Sequence, residues 1–339
     1  MPRSISRTRP VAALLLAGFT SASAALSIVS DGSDGAFTGG GTLALDADGV
    51  FNFTTIHVTS GLSFVRNAAN TPVVLAATGD VVIDATVNVS AGNFNGSGGP
   101  GGGNGGARGV GNEAGLAGVG PGAGEGGAAT GSGLGNAGGG AGNASPGLQA
   151  VRYTNSQPGA PGGAVAFGYP PGGSGGGGGS GAVFFGVPLD GGVGGGGGGG
   201  IVITTPGAIT INGAVLADGG HAGWSFANVF ANGGGGGGGS GGAIVLEGGA
   251  VTLGAGARLS AQGGAGGGKS TQTVPFDPFL YSNGAHGGEG YVLFATTDLN
   301  IDPNAVVAAT VVPVPAAGLL LVPALAALAG VGRRRCPSC

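Results

Sequence analysis

The sequence predicts an all-β fold: a parallel β-helix, or solenoid, carrying glycine-rich (polyglycine-II-like) insertions. Three observations carry this. Short apolar-x-apolar doublets recur in groups of three. The windows holding them align without gaps, although long segments separate them. Glycine, 87 of 339 residues, is concentrated in those separating segments. Nine glycines precede Gly92 and three follow Gly290, leaving 75 from one to the other.

The four windows are Val73–Val89, Ile201–Ala217, Ala243–Leu259 and Tyr291–Val307. Their first doublets are Val73/Leu75, Ile201/Ile203, Ala243/Val245 and Tyr291/Leu293. The second are Val81/Ile83, Ile209/Ile211, Val251/Leu253 and Leu299/Ile301. The third are Val87/Val89, Val215/Ala217, Ala257/Leu259 and Ala305/Val307. A doublet of this kind marks a short strand with one buried face, and the Gly, Asn, Asp and Pro between doublets suit turns. One such unit cannot bury its face alone, so units stack as coils. An earlier coil is read from Leu43/Leu45, Phe51/Phe53, Ile56/Val58 and Leu62/Phe64, giving five coils, six at most. The alternative for the same strands is a β-sandwich with disordered glycine-rich loops.

Five segments follow in order. Residues 1–24 form a signal peptide, 25–92 the first coils and 93–198 a glycine-rich insertion. Residues 199–310 hold further coils with insertions at 220–240 and 262–288, and 311–339 form a tail. Since the alignment resumes in register, all three insertions are expected to leave at one corner. From Gly103 to Gly142 every third position is glycine in ten of fourteen cases. Val110, Leu116, Val119 and Leu134 share one of the other registers. Three residues per turn is the polyproline-II period, which leaves backbone groups unpaired within the chain. Only glycine lets neighbouring backbones come close enough to pair them. The expected arrangement is a packed bundle, similar to the polyglycine-helix layers of certain phage tip adhesins and antifreeze proteins.

The N-terminus has Arg3, Arg7 and Arg9, a short apolar run from Val11 to Phe19, and Ala22-Ser23-Ala24. That order is a secretory signal cleaved between Ala24 and Ala25. The C-terminus has Val312-Pro313-Val314-Pro315, an apolar stretch over 316–331, and Arg333, Arg334 and Arg335. It resembles the PEP-CTERM sorting tail in its VPxPA variant, departing from it in Val314 and in the CPSC extension. The resemblance implies transient membrane insertion through a C-terminal helix and cleavage by an exosortase-type membrane protease. It also implies a place at the cell surface or in an extracellular polysaccharide (biofilm) matrix.

The body between the ends keeps five basic residues against all 15 acids. A net charge near −10 argues against nucleic-acid partners. Cys336 and Cys339 lie in the tail, so the body carries no disulfide. Gly263–Ser270 reads GGAGGGKS, a phosphate-loop pattern, but TQTVPFDPF follows in place of the helix that chemistry requires. His57, His221 and His286 form no ligand motif or triad pattern. No catalytic residue or cofactor is therefore expected, and the reading is not an enzyme. Asp31, Asp34, Asp46 and Asp48 place hard oxygens on two turns and are the candidate Ca²⁺ ligands. Asp84, Asn212 and Asp302 share a column that can ladder along a turn. Twelve of the aromatics lie in the insertions, and Trp224, Phe226, Phe230, Phe276, Phe279 and Tyr281 are the candidate surface contacts. The function expected is structural or adhesive. A carbohydrate-active lyase or hydrolase on a β-helix and an ice- or surface-binding protein are the alternatives.

Overall fold

The computed structural model describes residues 28–129, 134–150, 159–164, 172–226, 232–268 and 283–313. Those residues form sixteen strands and no helix. The first six are β1 (Ala36–Ala44), β2 (Val50–Phe53), β3 (Thr55–Val65), β4 (Val73–Ala77), β5 (Val81–Ile83) and β6 (Thr86–Asn88). An antiparallel hairpin follows, β7 (Ala182–Phe184) and β8 (Val187–Leu189). Then come β9 (Gly200–Ile211), β10 (Ala214–Leu216), β11 (Ala243–Leu253) and β12 (Arg258–Ser260). The last four are β13 (Tyr291–Ala295), β14 (Leu299–Ile301), β15 (Val306–Ala308) and β16 (Thr310–Pro313).

All but the hairpin join one parallel sheet, nearly closed and β-helix-like. Its pairings fall into three columns. The first runs β2, β4, the start of β9, the start of β11, β13, β16. The second runs through the starts of β1 and β3, then β5, the ends of β9 and β11, and β14. The third runs through the ends of β1 and β3, then β6, β10, β12, β15. Alternate residues point inward and form a core from Leu45 to Phe294, with Ile56, Ile83, Ile203, Ile211, Leu246 and Leu259 at 1% exposure or less.

Two doublet columns need correction. In the first column Ile201 pairs with Ile244, not Ala243, and Val292 pairs with Ile244. The inward pairs are therefore Ile244/Leu246 and Val292/Phe294. Ala243, Val245 and Tyr291 belong to a second cluster with Val74, Ala76 and Val202. In the third column Val215 pairs with Leu259, and Leu259 with Val307. The residues that follow them in the column are Ala261 and Ala309, while Ala257 and Ala305, also packed in the core, lie one step earlier. The cause is local. The pairing of β11 with β9 shifts register between Gly248 and Ala250, and turns closed by Ala257 N–H to Gly254 O and Ala305 N–H to Asp302 O lengthen the next corner. A bulge of this kind changes spacing without changing which face is buried.

The second cluster covers the outer side of the first column, where β4 is buried on both faces. A parallel sheet covered on both sides reads as a continuous apolar run, as VVLAA does. Tyr291 lies in this cluster at 3% exposure, and burial pushes its hydroxyl up to about 12. Burial disfavours phenolate, so the stabilisation is complete below pH ~10, the ordinary tyrosine value, and is lost as pH rises through about 12. Absorbance titration at 295 nm is expected to resolve one late-ionising tyrosine, absent in Tyr291→Phe.

The insertions leave and return at one corner. Val89 N–H donates to Leu216 O, Ala217 N–H to Ser260 O and Ala261 N–H to Ala308 O, so the three exits are stacked. Each return is tied to its own exit: Gly199 N–H to Val89 O, Gly242 N–H to Ala217 O, Gly290 N–H to Ala261 O.

Beyond that corner the backbones bond sideways in steps of three. Residues 172–181 show the pattern most fully. Gly173, Gly176 and Gly179 donate to Gly198, Gly195 and Gly192; Gly175, Gly178 and Gly181 donate to Val119, Leu116 and Glu113; Gly177 and Ser180 donate to Gly139 and Asn136. Their carbonyls accept from three further segments: Gly103, Gly106 and Gly109; Gly124 and Gly127; Gly234, Gly237 and Ser240. Three donor and three acceptor directions give this segment six neighbours, and residues 172–182 are all buried. A Cβ at Gly176, Gly177 or Gly179 would overlap the carbonyl oxygen of Gly237, Glu125 or Gly234. Of the side chains sharing a register, Val110, Leu116 and Val119 are exposed at the margin, and Leu134 is half-buried.

Candidate functional site

The four carboxylates proposed for calcium do not gather as a group of three or more. Asp31 accepts from Ser33 N–H, Asp34 from Asn52 N–H and Asp48 from Val50 N–H. These three accept from backbone amides, and the Ser33 bonds hold the Asp31 carboxyl below its usual range. Among the described residues no group of three or more His, Cys, Asp or Glu gathers to hold a metal ion.

The polar column does form a ladder. His57 Nε2 lies 2.7 Å from Asp84 Oδ2, and Asn212 Nδ2 donates to Asp84 Oδ1 at 2.8 Å. Asn212 first, then His57, hold the Asp84 carboxyl below its ordinary value. His57 lies in β3, and Asp84 and Asn212 follow the ends of β5 and β9, all on the outside of the sheet. Asp302 closes its own turn by accepting from Asn304 N–H.

A concavity lies where the first two insertions meet. The outgoing chain supplies Phe94 and Arg108, and the returning chain supplies Val193. The second insertion supplies Gly223, Trp224, Ser225 and Phe226. Together they line a groove of about 490 Å³. Backbone bonds join the parts: Phe94 N–H to His221 O, Gly223 N–H to Val193 O, Phe226 N–H to Asp190 O. Phe94 and Trp224 are tilted at 57° with centroids 5.6 Å apart. The Arg108 guanidinium lies 5.8 Å from the centre of the Phe226 ring and 3.2 Å from Asp190 Oδ2. Phe94, Trp224 and Phe226 are each more than half exposed. Open aromatic faces beside an arginine–carboxylate pair are suited to a ligand with flat apolar faces and polar rims.

Backbone geometry separates these aromatics from ordinary surface residues. Among the described residues only Asn70, Phe94 and Phe185 have positive φ without being glycine. Phenylalanine rarely adopts the left-handed region, which costs about 1–3 kcal/mol. Yet Phe94, at φ 63°, is 54% exposed in the groove, and Phe185, at φ 46°, is 91% exposed on the β7–β8 turn. Asn-Gly is the favoured pair for such a turn, where this chain has Phe185-Gly186.

Of the predicted contacts the groove brings together Trp224 and Phe226. Phe230, Phe276, Phe279 and Tyr281 lie outside the described residues. Phe94 is one of the twelve insertion aromatics but not one of the predicted contacts, and Arg108, Val193 and Asp190 carry no signal in the sequence. Val312 and Pro313 belong to β16, whereas Val314, Pro315, Arg333, Arg334, Arg335, Ala24 and Ala25 lie outside the described residues. Among those described, no helix is long and apolar enough to cross a membrane.

Fold and groove together define an all-β, glycine-packed protein with an exposed aromatic surface. No family model, curated protein or solved structure matches the chain.

Proposed function

We propose that this is an exported structural and adhesive protein of the cell surface or extracellular matrix, without enzymatic activity. A β-helical solenoid serves as the stalk. The polyglycine-II-like layer is a rigid platform on its side, and the aromatic groove holds extracellular polysaccharide by stacking against sugar rings. The observation that carries the reading is the exposed Phe94–Trp224–Phe226 groove, with Phe94 in a costly conformation outside any core. Export from Ala25 and processing of the 311–339 tail by an exosortase-type protease complete the proposal, resting on the sequence motifs.

The test is retention of the exported protein on immobilised neutral polysaccharides such as cellulose and dextran. Loss of retention in Trp224→Ala supports the reading; equal retention by the parent and Trp224→Ala sinks it.

A further inference from the structure

The second insertion leaves the corner as a straight segment, and its backbone bonds fix two of its three directions. Gly219, Ala222 and Ser225 donate to Gln262, Ala265 and Gly268. Gly220, Gly223 and Phe226 donate to Gly196, Val193 and Asp190. Asp218, His221 and Trp224 make up the third register. His221, Trp224 and Phe226 are exposed, while the residues between them are buried. At about 3.1 Å per residue, His221 to Phe226 covers about 16 Å.

Phe94 bridges the third register. Its ring lies 6.0 Å from the His221 ring, tilted at 35°, and 5.6 Å from Trp224. Its N–H donates to His221 O, and His221 N–H donates to Asn93 Oδ1 at 3.0 Å. The His221 ring is held on another side as well, because Nδ1 accepts the Ala265 N–H at 2.8 Å. A backbone amide only donates, so Nδ1 is the acceptor and the neutral imidazole carries its proton on Nε2. His221 is thus an oriented donor at one end of a row of aromatic faces.

We infer that the groove continues along this segment to His221, and that the resulting strip takes the interior of a linear, uncharged glycan, with His221 Nε2–H as a specificity-determining donor to a sugar oxygen. This rests on the adhesive reading and deepens it. Along the segment the order is His221 and Phe94, then Trp224, then Phe226 beneath the Arg108 guanidinium. A strip of that length is several times the width of one sugar ring. Linked rings stacking on successive faces share a single loss of translational freedom, so a run of sugars is favoured over one sugar or a chain end. Aromatic faces supply contact area, and a fixed donor supplies choice. Charge sets the class of glycan. Arg108 is already paired with Asp190, and Asp218 stands in register with His221, so an acidic chain meets carboxylates of its own sign.

The test is displacement of the protein from whichever of immobilised cellulose or dextran retains it. The competitors are glucose and the matching β-1,4- or α-1,6-linked oligosaccharides of rising length, at equal glucose content. Displacement is expected to strengthen beyond the disaccharide and then level off. Glucose that displaces as well as the longer chains overturns the inference. His221→Phe keeps a ring against Phe94 but loses both nitrogens. It is expected to weaken binding of the longer chains by about three- to tenfold, the order of one hydrogen bond, and to leave the disaccharide unchanged. His221→Gln, with an oxygen for Ala265 N–H and an amide donor, is expected to restore part of the loss. A loosened layer would instead lower every length alike, so an equal loss at all lengths overturns the donor role. Retention that is lost in Trp224→Ala but unchanged in His221→Phe overturns this inference alone. A parent chain retained on neither support overturns the adhesive reading and this inference with it.

Discussion

Alanine at Gly177 is expected to open the glycine layer. Gly177 sits in the segment with six neighbours, and its N–H donates to Gly139 O while its carbonyl accepts from Gly237. The added methyl would meet the Glu125 carbonyl oxygen and carbon and the Gly126 nitrogen, all backbone. A flexible side chain could swing aside, but a hydrogen-bonded backbone cannot move without dragging its own partners. The cost is therefore expected to exceed the ~1–3 kcal/mol typical of overpacking in a side-chain core. Gly163→Ala is the control in the same layer, because a Cβ there meets nothing within 4 Å. Amide exchange and limited proteolysis read the difference. Gly177→Ala is expected to lose protection across 103–142 and 172–198, and Gly163→Ala to behave as the parent. Equal protection in both would mean that the layer is not held by close backbone contact.

Removal of the groove aromatics is the second large effect. Trp224 and Phe94 present adjoining tilted faces, and Phe226 lies under the Arg108 guanidinium. Aromatic residues at the centre of a binding surface contribute about 2 kcal/mol or more when truncated. Trp224→Ala is therefore expected to weaken polysaccharide binding by at least tenfold, and Phe94→Ala/Trp224→Ala to bring it to background. Both positions are more than half exposed, so the fold is expected to tolerate the change. Leu148→Ala, at an apolar site of 59% exposure outside the groove, serves as the control. Isothermal titration with soluble oligosaccharides reads the affinity, and thermal melting shows that the variants remain folded.

The inward alternation of the coils was legible in the sequence because a strand exposes a period of two directly. The second column, Val81/Ile83 through Leu299/Ile301, pairs as the spacing predicts. The first and third columns misled at Ala243 and Ala257. A one-residue bulge at Gly248–Ala250 leaves an apolar residue at both the assumed and the true position, so hydrophobicity cannot tell Ala243 from Ile244. The threefold glycine register was legible for the same reason as the strands, since side-chain size repeats with the backbone. Its exposed register, Val110, Leu116 and Val119, lacked a sequence mark for inside or outside. The groove was legible only in part. Trp224 and Phe226 stand out in WSFANVF, but Phe94 and Arg108 reach them only because Phe94 N–H bonds to His221 O across more than a hundred residues of chain.

The step-of-three bonding of the layer limits how such a protein can change its length. Deleting one residue from the segment around Gly176 turns every later peptide group by a third of a turn. Each donor that faced 192–198 would then face 113–119 or 136–139, with all the partners exchanged at once. Adding or removing three residues preserves every direction and only lengthens or shortens the row. Because Gly199 is tied back to Val89, the coils beneath do not register the difference. Size variation in the layer is therefore expected to come in triplets of amino acids, as a reading frame does in nucleotides, while the parallel sheet keeps its spacing.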